Sequence, residues 1–131
     1  MKYSIKPIGK HQAREWQRLR NALWGDDDHW SEIEKYFDGE LEEPDAVLVA
    51  TDESGKVVAH VELSVRFGID QTARVKIGYI EGLYVEPDHR SSGLVMQLLR
   101  ASEAWAARNG CLAFASDRDD RIIVHAHYKY D

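Results

Sequence analysis

The stretch Ile80-Glu81-Gly82-Leu83-Tyr84-Val85-Glu86-Pro87-Asp88-His89-Arg90-Ser91-Ser92-Gly93-Leu94-Val95 is the part of the chain best suited to chemistry. An apolar run stops at Pro87, a small polar turn follows, and a helical stripe starts at Leu94. The first N–H groups of a helix lack intrahelical partners and carry the positive end of its dipole. Ser91, Ser92 and Gly93 are small enough to let an anion reach such amides, and Arg90 adds a charge at the rim. The turn is therefore a candidate phosphate cradle. An ordinary strand-to-helix turn has the same pattern, so the motif alone leaves both readings open. A second cluster is Asp26-Asp27-Asp28, set between Trp24 and Trp30 with Glu32 and Glu34 beyond. Carboxylates beside apolar platforms suit a cationic ligand. They equally suit a solvated helix start, where Asp is favoured.

The charge balance agrees with a cationic ligand. The formal net charge is −6, which excludes nucleic acid and anionic membrane as natural partners. The single cysteine, Cys111, excludes an internal disulfide and reads as a buried small hydrophobe. No apolar run approaches the roughly 20 residues that span a bilayer, and the N-terminus has no apolar signal region, so the expected location is cytoplasmic. Asp28-His29 and His125-x-His127 bring too few ligands together for a metal, and none is expected. The 131 residues carry no repeat or linker and are expected to form one domain, 1–131.

These residues must be positioned by the elements around them. A strand is expected over Tyr3–Ile8, ending near Pro7. Ala13, Trp16, Leu19 and Leu23 recur at helical spacing, which predicts a helix over His11–Trp24. Gly25 and the aspartates break it, and Asp27 or Asp28 caps a second helix carrying Trp30, Ile33, Tyr36 and Phe37. Ala46–Ala50 reads as a buried strand, and Asp52-Glu53-Ser54-Gly55 as a hairpin turn. Lys56–Phe67 reads as a strand with Val57, Ala59, Val61, Leu63 and Val65 on one face, and Gly68–Gln71 as a loop. Another strand covers Val75–Val85. Leu94, Leu98, Ala101 and Trp105 mark a long helix that stops near Gly110. Cys111–Ala115 is expected as a strand and Arg118–Asp131 as a final helix. The order β-α-α-β-β-β-α-β-α predicts an α/β fold, a mixed sheet flanked by helices.

Arg90-Ser91-Ser92-Gly93-Leu94-Val95 resembles the (Arg/Gln)-x-x-Gly-x-(Gly/Ala) loop of the GNAT superfamily of N-acetyltransferases. The element order is similar too, with the loop between a fourth strand and a third helix. Four stretches resemble, more narrowly, the aminoglycoside 6′-N-acetyltransferases: Leu19-Arg20-Asn21-Ala22-Leu23-Trp24, Ile80 to Val85, Gly110-Cys111, and Ala115-Ser116-Asp117. The resemblance implies a GNAT-like, mostly antiparallel mixed sheet and acetyl-coenzyme A as cosubstrate. It implies transfer of acetyl to the 6′-amine of an aminoglycoside antibiotic, hence antibiotic resistance. Two departures stand out. Val95 occupies a position where the family has Gly or Ala, and crowding of the pyrophosphate is expected there. The family continues from a similar Ala-His through Leu-Gly-Phe into a last pair of strands. Here Tyr130 and Asp131 replace Leu-Gly, so the sheet is expected to lack that final hairpin.

The implied reaction assigns roles. Glu81 and Asp117 are expected to take the proton of the incoming ammonium or to bind it. Trp24, Asp26 and Asp27, with Glu81 and Asp117, are the expected acceptor-binding residues. Leu83, Tyr84 and Val85 line the cosubstrate arm, and one of their N–H groups is expected to stabilise the oxyanion. Arg90, Ser91, Ser92, Gly93, Leu94 and Val95 are expected to hold the pyrophosphate. Tyr84, His127, Tyr128 and Tyr130 are alternatives for protonating the leaving thiolate. An exposed edge of the last strand favours a homodimer. Two other readings fit the same residues: acetylation of another amine or peptide, and a non-catalytic aminoglycoside-binding protein.

Overall fold

A computed structural model describes residues 2–67, 76–118 and 121–127. It contains β1 (Ser4–Pro7), α1 (Ala13–Trp24), α2 (His29–Phe37), β2 (Ala46–Thr51), β3 (Val57–Phe67), β4 (Lys76–Val85), α3 (Leu94–Arg108), β5 (Ala113–Arg118) and β6 (Arg121–His127). Short 3₁₀ turns, Lys10–Gln12 and Pro87–His89, lead into α1 and towards α3. The six strands form one sheet in chain order. Every neighbouring pair is antiparallel except β4–β5, which is parallel because α3 returns the chain across the sheet.

Both faces are covered, which is why β2 reads as a continuous apolar run. Val47 and Val49 face Trp16, Leu19 and Ile33 of α1 and α2. Leu48 and Ala50 face Leu94, Leu98 and Ala106 of α3. Period-two alternation thus feeds two cores from one strand. On β3, Ala59, Val61 and Leu63 take the α3 side, as does half-buried Val65. Val57, expected with them, belongs to the α1–α2 core instead. The cause is a bulge: Ala50 opposes Ala59 and Thr51 opposes Val57, so Val58 is the extra residue and the alternation inverts. On α3 the fully buried positions after Leu98 are Ser102 and Ala106, while Ala101 and Trp105 are half-buried.

The other elements follow the sequence signals with small shifts. Asp28, not Asp27, caps α2, its carboxylate accepting from the Ser31 N–H at 3.4 Å. The final element differs: a strand, β6, forms where a helix is expected. Ile122-Ile123-Val124 is a β-branched run that suits an extended backbone. The loop expected at Gly68–Gln71 lies outside the described residues, as do Tyr128, Tyr130 and the side chain of His127.

Candidate functional site

The site grows from the way β4 parts from its neighbours. Its pairing with β5 runs from Ile77–Ala113 to Ile80–Ser116 and stops. Its pairing with β3 continues to Val85–Ala59. Among the described residues, 81–85 therefore have a strand on one side only, and a fork opens between β4 and β5. The Glu86 N–H donates to Val58 O of β3 at 2.9 Å. Strand alternation then turns the N–H and C=O of Leu83 and Val85 the opposite way, towards the fork. Arg90 Nε donating to Val85 O at 2.8 Å agrees with that direction.

A second bulge sits at the mouth of the fork. Leu63 opposes Ile80 and Glu62 opposes Gly82, which leaves Glu81 as the extra residue. Bulges re-aim side chains beside active sites. Here the bulge brings Glu81 into the wall of two cavities. One, of about 310 Å³, lies in the fork and also touches Gly82, Leu83, Leu99, Ser116, Asp117 and His125. The other, of about 410 Å³, is an open cleft bounded by Trp24, Asp27, Asp28, His29 and Glu32 on the helix side and by Glu43, Glu62 and Glu81 on the other. Gly82 is required for this arrangement. A Cβ there would stand 2.7 Å from Trp24 Cζ2, so the indole lies against bare backbone.

A third cavity, of about 340 Å³, continues along the outer half of β4. Ala22 and Leu23 of α1, Leu83, Tyr84, Val85, Arg90 and Val95 line it. The 90–93 turn closes its end. Gly93 takes φ 81°, a left-handed conformation that favours glycine, and a Cβ there would meet nothing within 4 Å. The space beside Gly93, at the start of α3, is thus open. Ser92 Oγ donates to His89 O at 2.5 Å within the turn. Leu94 is fully buried, so only its backbone can take part, whereas Val95 is exposed at the groove edge. The fork and the groove share Leu83, and the groove reaches Arg90 and Val95 beside the α3 N-terminus, so these residues fit a long thioester with a diphosphate end.

Of the acceptor residues expected from the sequence, Trp24, Asp27 and Glu81 line the acidic cleft, and Asp117 lines the fork. Asp26 is exposed and lies outside the lining of either cavity. Four polar partners escape sequence reading: Arg66, Tyr79, Arg20 and Glu62. Arg66 grips Glu81 with two bonds, Nε to Oε1 at 2.8 Å and Nη2 to Oε2 at 2.7 Å. The Arg66 guanidinium also lies 3.9 Å from the centre of the Tyr79 ring. Tyr79 OH donates to Asp117 Oδ1. Burial, then the Asp117 carboxylate, pushes the Tyr79 phenol up to about 12, so it stays a donor at neutral pH. Arg66 and Tyr79 thus connect the two carboxylates.

The second pair is deeper. Arg20 donates from Nε and Nη2 to the two oxygens of Glu62, at 2.9 and 2.7 Å. Trp16 Nε1 also donates to Glu62, and His60 Nε2 lies 3.0 Å from it. Burial works to raise the Glu62 carboxyl, but the bonds from His60 and Arg20 outweigh it and hold it at about 2. Arg20 reaches the cleft through a third bond, Nη1 to Glu32 at 2.6 Å, and stacks beside the Trp24 ring. Arg20 falls at helical spacing from Trp16 and Trp24. That spacing is the one sequence signal that places it beside both.

Comparison with known proteins agrees with this geometry. The model of the acetyltransferase (GNAT) family matches residues 10–130. Aminoglycoside N(6′)-acetyltransferase type 1 of Acinetobacter haemolyticus is 35% identical over 130 residues, covering 96% of this chain and 87% of that protein. The enzyme of the same name from Klebsiella aerogenes is 34% identical, covering 86% and 76%. The crystal structure of the aminoglycoside 6′-N-acetyltransferase AAC(6′)-Ih from Acinetobacter baumannii superposes with a TM-score of 0.77 at 28% identity, over 89% of this chain and 80% of that one. AAC(6′)-Iy, solved with the bisubstrate analogue CoA-S-monomethyl-acetylneamine, gives 0.78 at 25% identity over 91% and 81%. A sheet forked beside a glycine turn, an acidic cleft at the fork and a match along nearly the whole sequence lead to one conclusion: the chain belongs to the GNAT acetyltransferase family.

Proposed function

We propose that this protein transfers the acetyl group of acetyl-coenzyme A to the 6′-amine of an aminoglycoside. The observation that carries this reading is the meeting of two cavities at Glu81. One is the fork, which shares Leu83 with the groove that reaches Arg90 and Val95; the other is a cleft rich in carboxylates. Bound there, acetyl-coenzyme A supplies an activated thioester. The backbone amides after Gly93, with Arg90 at the rim, hold its diphosphate. The Leu83 and Val85 N–H groups face the fork and donate to the thioester oxygen as it gains charge. Glu81 takes the ammonium proton, which frees the amine lone pair to attack the thioester carbon; the new C–N bond is kept, the C–S bond breaks, and coenzyme A leaves as its thiolate, which takes a proton from solvent. Asp117, oriented by Tyr79, binds a second ammonium group. Trp24 offers its indole face to the sugar ring, and Asp27, Asp28, Glu32 and Glu43 attract the polycation.

The test is thiol release from acetyl-coenzyme A with kanamycin as acceptor, followed by assignment of the acetylated nitrogen by NMR. Kanamycin-dependent release with acetylation at the 6′ nitrogen supports the reading. Release with other amines only, or binding of kanamycin without turnover, overturns it. Among the described residues β6 is an edge strand of the sheet, which supports pairing of two copies, and light scattering reads one chain or two.

A further inference from the structure

An incoming ammonium group meets a Glu81 carboxylate already bonded through both oxygens to Arg66, and competes with that guanidinium for it. Arg66 donates from Nε and Nη2 at 2.8 and 2.7 Å, so both carboxylate oxygens are engaged in a fork. The pair is not sealed in the core: the Arg66 side chain is 40% exposed and that of Glu81 18%. In the same position the guanidinium stacks on the face of Tyr79 at 3.9 Å, a contact that does not depend on Glu81. We propose that Arg66 is an internal stand-in for the acceptor's ammonium group, a positioning residue that an incoming cation displaces from Glu81. The inference rests on the acceptor cleft described under the proposed function.

Exchange of one cation for another on Glu81 has two consequences. Acceptor affinity is lowered by the work of displacing Arg66, which a single ammonium group repays poorly and a polycation, held also by Asp27 and Glu32, repays well. Binding also creates no net ion pair at Glu81, so it is less sensitive to salt than the number of carboxylates implies.

Calorimetric titration with kanamycin at several salt concentrations tests this. Arg66→Met keeps the aliphatic stem against Tyr79 and removes the cation; Arg66→Gln is the alternative if the first variant does not fold, with thermal unfolding as the check. The expected result is kanamycin binding about tenfold tighter in R66M, the worth of one partly buried charged hydrogen-bond pair. Its salt dependence is steeper than in the wild type. KM falls while kcat stays within about threefold. Arg66→Lys, which restores a displaceable cation, returns affinity and salt slope towards the wild type. Unchanged or weaker binding in R66M with an unchanged salt slope overturns the proposal, as does absence of binding to both proteins. If kanamycin binds as expected but no thiol is released, acetyl transfer falls while the displacement of Arg66 stands on the binding data.

Discussion

Glu62 and Glu81 sit on neighbouring strands, and each is held through both oxygens by one arginine, yet the two pairs do different work. The side chains of Glu62 and Arg20 are 2% and 6% exposed. Those of Glu81 and Arg66 are 18% and 40% exposed. A buried pair surrenders a large hydration energy and cannot be opened without leaving a bare charge in the core. The Glu62 pair is therefore a permanent part of the fold, fixing α1 against β3 and holding Glu32 at the cleft. A half-exposed pair trades bonds with solvent or ligand at small cost. The Glu81 pair is the one that can exchange partners, as the proposed role of Glu81 requires. Burial, not pairing, separates the two.

The largest expected effect breaks the reactive member of the comparison. Glu81→Gln should lower kcat for kanamycin acetylation by about 10²–10⁴-fold, with little change in thermal unfolding. A rate near that of the wild type would remove Glu81 as the base. Glu62→Gln should do the reverse, lowering stability in urea by about 3 kcal/mol because Arg20 is left buried beside a neutral group. A stability unchanged within experimental error would mean that the core pair contributes no more than an exposed one.

The same contrast has a pH signature. Glu62 has its carboxyl lowered to about 2 from an ordinary 4.5. Its folded value lies below its unfolded one, so its contribution is fully present above about pH 4.5. It is lost as pH falls towards 2, amounting to about 3 kcal/mol over that window. Urea unfolding at pH 7, 4 and 2.5 checks this, and the Glu62→Gln protein should show a shallower decline over the same range. Gly82→Ala should push the indole of Trp24 off the strand, raising KM for kanamycin by about 3–10-fold, equivalent to roughly 1 kcal/mol of overpacking. A shift in tryptophan emission reports the move, and unchanged emission and KM would show that the indole tolerates a methyl group. The smallest effect is Val95→Ala. Relief of crowding at the groove edge should tighten coenzyme A binding by about two- to fivefold, read by calorimetry.

The two regions also differ in how readable they are from sequence. The 90–93 turn is legible because its chemistry is local: small residues, a glycine with positive φ and a helix start lie within six positions. The Asp28 cap and the alternating strand β2 are legible for the same reason. Arg66 and Glu81 are 15 positions apart, and Arg20 and Glu62 are 42 apart. Only strand register and helix packing bring them together, and a run of residues does not state its register. The two bulges add to this. One inserts Val58 and moves Val57 to the other core; the other inserts Glu81 and points it into the site. β6 is not legible because Arg118–Asp131 has no clean period, and pairing with β5 decides its conformation.

The one-sided stretch of β4 carries a last consequence. Among the described residues no neighbouring strand satisfies the amides of Leu83 and Val85, so this half of the sheet is stitched along a single seam. Coenzyme A lying in the fork, as proposed, would provide the second seam. Its binding energy adds to the resistance of that region to opening. Hydrogen exchange at these two amides should therefore slow as coenzyme A is added, while the buried amides of β2 change little. The firmness of the active strand is then set by how much cosubstrate surrounds it.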